Sequence, residues 1–181
     1  MQVAHDRTRW NNADADRIEI VDPNPAWPQQ FDAEVRALRA ALPSLTDFRI
    51  EHFGSTAVSG LRSKPIIDIL IIHPEQGEWP SLAEPLAALG YVYWAGNPRK
   101  DRMFFVKGMP PFGARRTHHL HVRVPDDASA ELRFRDALRA DAGLARDYGV
   151  LKDELAARHA GDRDAYTNAK TQFVASVLER R

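Results

Sequence analysis

FRIEHFGSTAVSGLRSKPIIDILIIH, running from Phe48 to His73, is the stretch on which the fold turns. Phe48 to Phe53 alternates as a strand does. Ile66 to Ile72 is an almost unbroken aliphatic and β-branched run, the pattern of a central strand covered on both faces. Asp68 stands in the middle of that run, where a carboxylate is expensive to bury unless it is paired, hydrogen-bonded or bound to a metal. Gly54 lets backbone come close to a ligand, and Ser55 and Thr56 add hydroxyls beside exposed N–H groups. A small donor turn followed by an acid on the next strand suits a phosphate and its metal. The same residues also read as a plain turn and a salt-bridged structural acid, and spacing leaves both open. Between turn and strand, Arg62 and Lys64 could face a bound phosphate, with a solvated loop as the other reading of Arg62. Pro65 cannot donate to a ladder and should open the strand.

Composition narrows the rest. The 181 residues carry 25 Lys plus Arg against 25 Asp plus Glu, so there is no bulk nucleic-acid signature. Without cysteine there is no disulfide framework, thiolate nucleophile or Cys-ligated zinc. No apolar run reaches the ~18 residues a membrane span needs. The opening MQVAHDRTRWNNADAD lacks a signal peptide's apolar core and reads as a flexible tail over residues 1–16. The expectation is one domain over residues 1–181, cytoplasmic, with no membrane partner.

Arg17 to Val21 (RIEIV) alternates like an edge strand. Asn24 is a credible N-cap for a helix whose Trp27, Phe31, Val35, Leu38 and Leu42 recur at helical spacing and which Pro43 helps to end. Trp79 to Leu89 predicts a second helix stopped at Gly90. Short strands follow at Tyr91 to Trp94 and Arg102 to Lys107, separated by the basic turn Asn97 to Lys100. The loop from Gly108 to Arg116 ends on Arg115 and Arg116.

Thr117 to Val124 (THHLHVRV) is the second informative strand. Its alternation sets His119, His121 and Arg123 on one face and His118, Leu120 and Val122 on the other. A His-x-His pair on one face can chelate a metal, and equally can be a pair of hydrogen-bonded imidazoles. The last third is helical. Ser129 can cap a helix carrying Phe134 and Leu138; Leu144, Tyr148, Leu151 and Leu155 mark another; Asp162 caps a closing segment from Tyr166 to Leu178. Tyr148 with Lys152, and Tyr166 with Lys170, stand four apart and so share a helix face.

GSTAVSGLRSKPIIDI, THHLHV, FRDALR and YGVLK, in this order, resemble the GrpB family of the nucleotidyltransferase-fold superfamily, over about Ile18 to Leu178. The resemblance implies an α/β (α+β) fold: a mixed β-sheet flanked by helices with a C-terminal helical cap. It implies a Gly-Ser turn for a triphosphate and an Asp-x-Asp or Asp-x-Glu pair, plus a third acid, for metals. Here the pair is incomplete, since Ile66 precedes Asp68 by two residues and Leu70 follows it by two. The His-rich strand lies where the superfamily carries its third acid, which would bring His119 or His121 near Asp68. GrpB-like domains also occur fused to dephospho-CoA kinase, implying a link to coenzyme A biosynthesis, although this chain lacks that kinase's phosphate loop.

The expected function is nucleotidyltransferase-like binding of a nucleotide or phosphorylated small molecule, with metal-dependent nucleotidyl transfer as its catalytic form. Asp68 and His121 are the expected catalytic residues. Gly54, Ser55, Thr56, Lys64, Lys152 and Lys170 are expected to hold phosphates, and Asp68, His119 and His121 a metal, with Mg2+ the expected ion. The alternatives are a non-catalytic binding module, which explains a single acid more simply, and a His/Asp metal site performing hydrolysis.

Overall fold

The computed structural model describes residues 17–97 and 101–179. Five strands form one mixed sheet: β1 (Arg49–Phe53), β2 (Ile67–Ile72), β3 (Tyr91–Tyr93), β4 (Met103–Lys107) and β5 (His118–Arg123). Their order across the sheet is β1-β2-β5-β4-β3. Only β2 and β5 are parallel; β1 against β2, β4 against β5, and β3 against β4 are antiparallel. The helices are α1 (Trp27–Ala41), α2 (Ala83–Ala88), α3 (Pro125–Ala140), α4 (Ala142–Arg158), α5 (Arg163–Ala169) and α6 (Thr171–Glu179).

The two-residue period of β2 explains its composition. Ile67, Ile69 and Ile71 join Leu120 and Val122 of β5 against Trp27 and Leu38 of α1, Leu42 just after it, Leu86 of α2 and Leu82 just before it. Leu70 and Ile72 point the other way, onto Ala128 and Leu132 of α3 beside Phe53. Each such fully buried aliphatic side chain is worth about 1.5–3 kcal/mol relative to exposure. Asp68 shares the α3 side with Leu70 but lies nearer the strand's start, where it borders an open cleft. A further cluster joins Val58 and Leu61 after the Gly-Ser turn to Leu138, Tyr148 and Phe173 of the C-terminal helices. The helical cap is thereby packed onto the loop that leads into Asp68.

Several elements depart from the sequence reading. Arg17 to Val21 is no strand: a single antiparallel bridge joins Val21 to Ser63, and Ile18 is drawn into a cluster with Leu155 and Tyr166. The apolar alternation there serves the helical cap. Asn24 is not the N-cap of α1, a position held by Ala26 without a side-chain cap; Asn24 Oδ1 instead accepts from Ala26 N at 2.9 Å in the turn before the helix. The segment Gln76–Leu82 is 3₁₀ and turns α-helical only at Ala83. Pro80 within it has no N–H to donate. Ser129 is not a cap, because Pro125 opens α3 and Ser129 Oγ donates back to Asp126 O at 2.8 Å. The closing helix is two helices that break at Lys170, with Asp162 capping the first through Ala165 N at 2.9 Å. The expected tail over 1–16 and most of the basic turn Asn97 to Lys100 lie outside the described residues.

Candidate functional site

The parallel register of β2 and β5 sets Asp68 opposite His119 and Leu70 opposite His121. Both histidines therefore leave the sheet on the Asp68 side. His118 leaves on the other side, where its Nε2 lies 3.9 Å from Glu34 of α1. His119 Nδ1 is 3.2 Å from Asp68 Oδ1, and one ligating atom from each of Asp68, His119 and His121 lies within 4.8 Å of the other two. Rings fix the imidazoles in place: Phe104 packs at 5.2 Å from His119 and 4.7 Å from His121, and Phe53 meets His121 edge-on at 5.1 Å.

Burial holds these imidazoles neutral. It lowers His119 to about 4 and His121 to about 3, against the opposing pull of the Asp68 charge. Burial alone would raise the Asp68 carboxyl, but the His119 hydrogen bond and nearby positive charge outweigh it and the net shift is downward. Between an ionised carboxylate and a neutral imidazole the proton belongs on Nδ1, which donates to Asp68. His119 Nε2 is then a buried lone pair, and no donor reaches it.

Gly54 supports the acid from the neighbouring turn. Its φ of 70° is a left-handed value that favours glycine. A Cβ placed on it would overlap Asp68 Oδ2. Ser55 lines the same cleft beside it. Thr56 does not. The one-turn 3₁₀ helix Ser55–Ala57 rotates Thr56 into the interior, where its Oγ1 lies 3.0 Å from His52 Nε2 and donates to Ile66 O at 3.4 Å. The expected phosphate-binding role of Thr56 is corrected on that ground. Glu51, on the neighbouring strand β1, does not line the cleft and is engaged elsewhere: its Oε2 accepts from Arg135 Nη1 at 2.9 Å.

Three lysines reach the cleft from outside the sheet. Lys64 and Lys170 both lie over the Tyr166 ring, at 5.3 and 4.2 Å from its centroid, and Lys152 lies 5.0 Å from that of Tyr148. Lys152 also donates to the carbonyl of Arg62. Burial, reinforced by Lys170, pushes Lys64 and Lys152 down to about 7 each; burial also brings Lys170 to about 8. Arg62 is committed elsewhere, paired with Asp153 at 2.7 Å and Asp22 at 3.1 Å. The cleft measures about 660 Å³ and is lined by Asp68, both histidines, Gly54, Ser55 and all three lysines, with Trp94, Arg102, Phe104 and Arg116 added. Sequence reasoning passes over Phe104 and Arg102 as ligand contacts, although β4 alternation puts them on the His121 side. Helical spacing pairs Tyr166 and Tyr148 with one lysine each, and the second lysine on Tyr166 comes from a distant loop.

Among the described residues, no helix is long and apolar enough to cross a membrane. Comparison with known proteins agrees with this architecture. The chain is 53% identical over 175 residues to a UPF0157 protein of Pseudomonas aeruginosa, covering 97% of this chain and 72% of that protein. It is 30% identical over 187 residues to a dephospho-CoA kinase of Mycolicibacterium paratuberculosis, covering 90% of this chain but 46% of the kinase. Among solved structures, conserved protein GrpB from Enterococcus faecalis superposes with a TM-score of 0.77 at 33% identity, over 89% of this chain and 95% of that one. Cid1 in complex with its short product ApU superposes with a TM-score of 0.53 at 15% identity, over 81% of this chain and 44% of Cid1, a likeness of fold alone. The sheet and its flanking helices thus have the nucleotidyltransferase fold. Residues 17–180 match the profile described as GrpB protein, and the chain belongs to the GrpB family.

Proposed function

We propose that this protein binds a nucleotide or another phosphorylated small molecule in the cleft above Asp68. The observation that carries this reading is the cationic group Lys64, Lys152 and Lys170. Their ammonium groups meet tyrosine faces and a carbonyl, and burial holds their pKa values at about 7 to 8. Three lysines gathered at that cost, around a cleft of about 660 Å³, are served by an anion. Tyr166 and Phe104 offer aromatic surface beside it. A phosphate bound here restores full charge to the lysines, and Gly54 and Ser55 border the same space. The kinase relative makes dephospho-coenzyme A a reasonable probe beside ATP.

Thermal melting in the presence of a chelator tests the reading. ATP, dephospho-coenzyme A or pyrophosphate should raise the melting temperature by ligand linkage, and the double variant Lys64→Gln/Lys170→Gln should lose that rise. If no nucleotide, coenzyme A precursor or simple phosphate shifts the parent protein, the reading is wrong.

Metal-dependent transfer or hydrolysis is the second reading, favoured by the approach of Asp68, His119 and His121 on the floor of the cleft. Mg2+ takes oxygen ligands almost throughout, and this cluster offers one carboxylate and two imidazoles. These residues do not fit Mg2+. Asp68→Asn separates the two readings: an enzyme using the carboxylate loses turnover by orders of magnitude. A metal-free anion binder keeps or improves its affinity when a nearby negative charge is removed.

A further inference from the structure

We infer that Asp68, His119 and His121 form a site for one divalent transition-metal ion of the zinc or cobalt class. The site lies in the same cleft but does not rest on the anion reading above. Donor chemistry is the first argument. Two imidazoles and a carboxylate match the ligand sets of zinc, cobalt and non-haem iron, whereas magnesium sites are built from oxygen. Geometry is the second. Asp68 Oδ1 and His119 Nδ1 stand 3.2 Å apart, which is close to the ~3.3 Å edge of a tetrahedron with bonds of about 2.0 Å. The third ligating atom is within 4.8 Å of both, a gap that a modest contraction around an ion closes.

The wider surroundings point the same way. His119 offers one nitrogen to Asp68, and its other nitrogen is buried and unpartnered. A cation ligated through Nδ1 takes the place of the proton that now joins His119 to Asp68, and that proton moves to Nε2, so His119 binds as a neutral imidazole. The walls are rigid: Phe53 and Phe104 fix His121, and Gly54 presses on the far oxygen of Asp68 so closely that no Cβ fits. Such support keeps ligands in place without the ion. Three protein ligands also leave coordination positions to be filled from the cleft, as in metal sites that engage a substrate or water. The cleft side carries Lys64 and Lys170, so the group drawn to an open position is an anionic oxygen, such as one from a phosphate.

The experiment uses the full chain stripped of metal by chelator and dialysed, with Co2+ as the spectroscopic probe and no nucleotide present. One equivalent of Co2+ should produce visible absorption bands. Zn2+ should remove them, and Mg2+ in hundredfold excess should not. His121→Gln and Asp68→Asn should each weaken Co2+ binding by at least about tenfold. His119→Gln is held in reserve because it also removes the hydrogen bond to Asp68. Far-UV circular dichroism establishes which variants are folded, and only those are compared with the parent. The inference is overturned if Mg2+ displaces Co2+ as readily as Zn2+ does. It is equally overturned if the folded variants bind Co2+ like the parent, or if the parent binds none. None of these results alters the chelator-treated melting test, so the metal site and the anion site can fail separately.

Discussion

Gly54 and Asp68 are two ends of one constraint. The glycine sits at a positive φ and its missing side chain is the space that Asp68 Oδ2 fills. Gly54→Ala therefore meets both a left-handed backbone penalty and a collision. Gly60 has a similar φ of 76°, yet a Cβ there meets nothing within 4 Å. We expect Gly60→Ala to cost about 1–2 kcal/mol, the backbone term alone, and Gly54→Ala about 1–3 kcal/mol more from the overlap. Urea unfolding of the two variants measures the difference, and equal costs would mean that the turn moves freely away from the acid. At this scale the sequence is informative wherever period and chemistry agree. Strand alternation alone sends His119 and His121 to one face and His118 to the other. Thr56 escapes such reasoning because a one-turn 3₁₀ helix leaves no periodicity by which to tell an inward hydroxyl from an outward one.

Helix α3 is tied to the sheet edge by one buried arginine. Arg135 Nη1 donates to Glu51 Oε2 and to His52 O, both at 2.9 Å, while its Nε reaches Asp136 at 2.8 Å. Removing the cation alone strands a half-buried carboxylate and a strand carbonyl. Arg135→Met should destabilise by about 2–4 kcal/mol, and Arg135→Met/Glu51→Gln by distinctly less, because the orphaned charge is gone. A double variant no more stable than the single would show that Glu51 is solvated and the clamp is only packing. Elements with long apolar periods, α1, β2 and α4, are plain in the sequence. Those that deviate do so for local reasons: Arg17 to Val21 finds its partners in the distant helical cap, and the kink at Lys170 comes between two stretches that each read as helix. The register that pairs Asp68 with His119 is a tertiary fact across 51 positions, and no local pattern contains it.

For the whole molecule, pH reads out the charged groups that folding confines. His52 is lowered to about 4 by burial, as is His119, and His121 to about 3. Each has an unfolded value near 6.5, so between about pH 6.5 and 3 the unfolded chain holds more protons and stability falls as pH drops. Each histidine adds a slope of up to about 1.4 kcal/mol per pH unit in that window. His52 is stacked on Phe31 at 4.5 Å, on the sheet face opposite the cleft. His52→Asn should therefore make the acid limb shallower by about one proton while leaving the cleft's response intact. Urea titrations in chelator from pH 7 to 4 test this, and an unchanged slope would sink it.

The alkaline side should show two opposite trends in the same protein. Lys64 and Lys152 are lowered to about 7 and Lys170 to about 8, from an ordinary value near 10.5. Above pH 7 the ligand-free fold sheds these protons while the unfolded chain keeps them, so stability should rise with pH towards about 10. Anion binding has the reverse sign. A bound phosphate favours the charged lysines and raises their pKa values, so binding above pH 7 requires proton uptake. Affinity should be greatest near pH 6.5 to 7, where a phosphate monoester is already largely dianionic, and fall as pH climbs through 8 and 9. Calorimetric titration with pyrophosphate at several pH values, beside melts of the ligand-free protein, measures both. Lys64→Gln/Lys170→Gln should flatten the two curves together. If affinity instead rises with pH, the lysines are not what holds the anion, and the phosphate-binding assignment of this cleft falls with them.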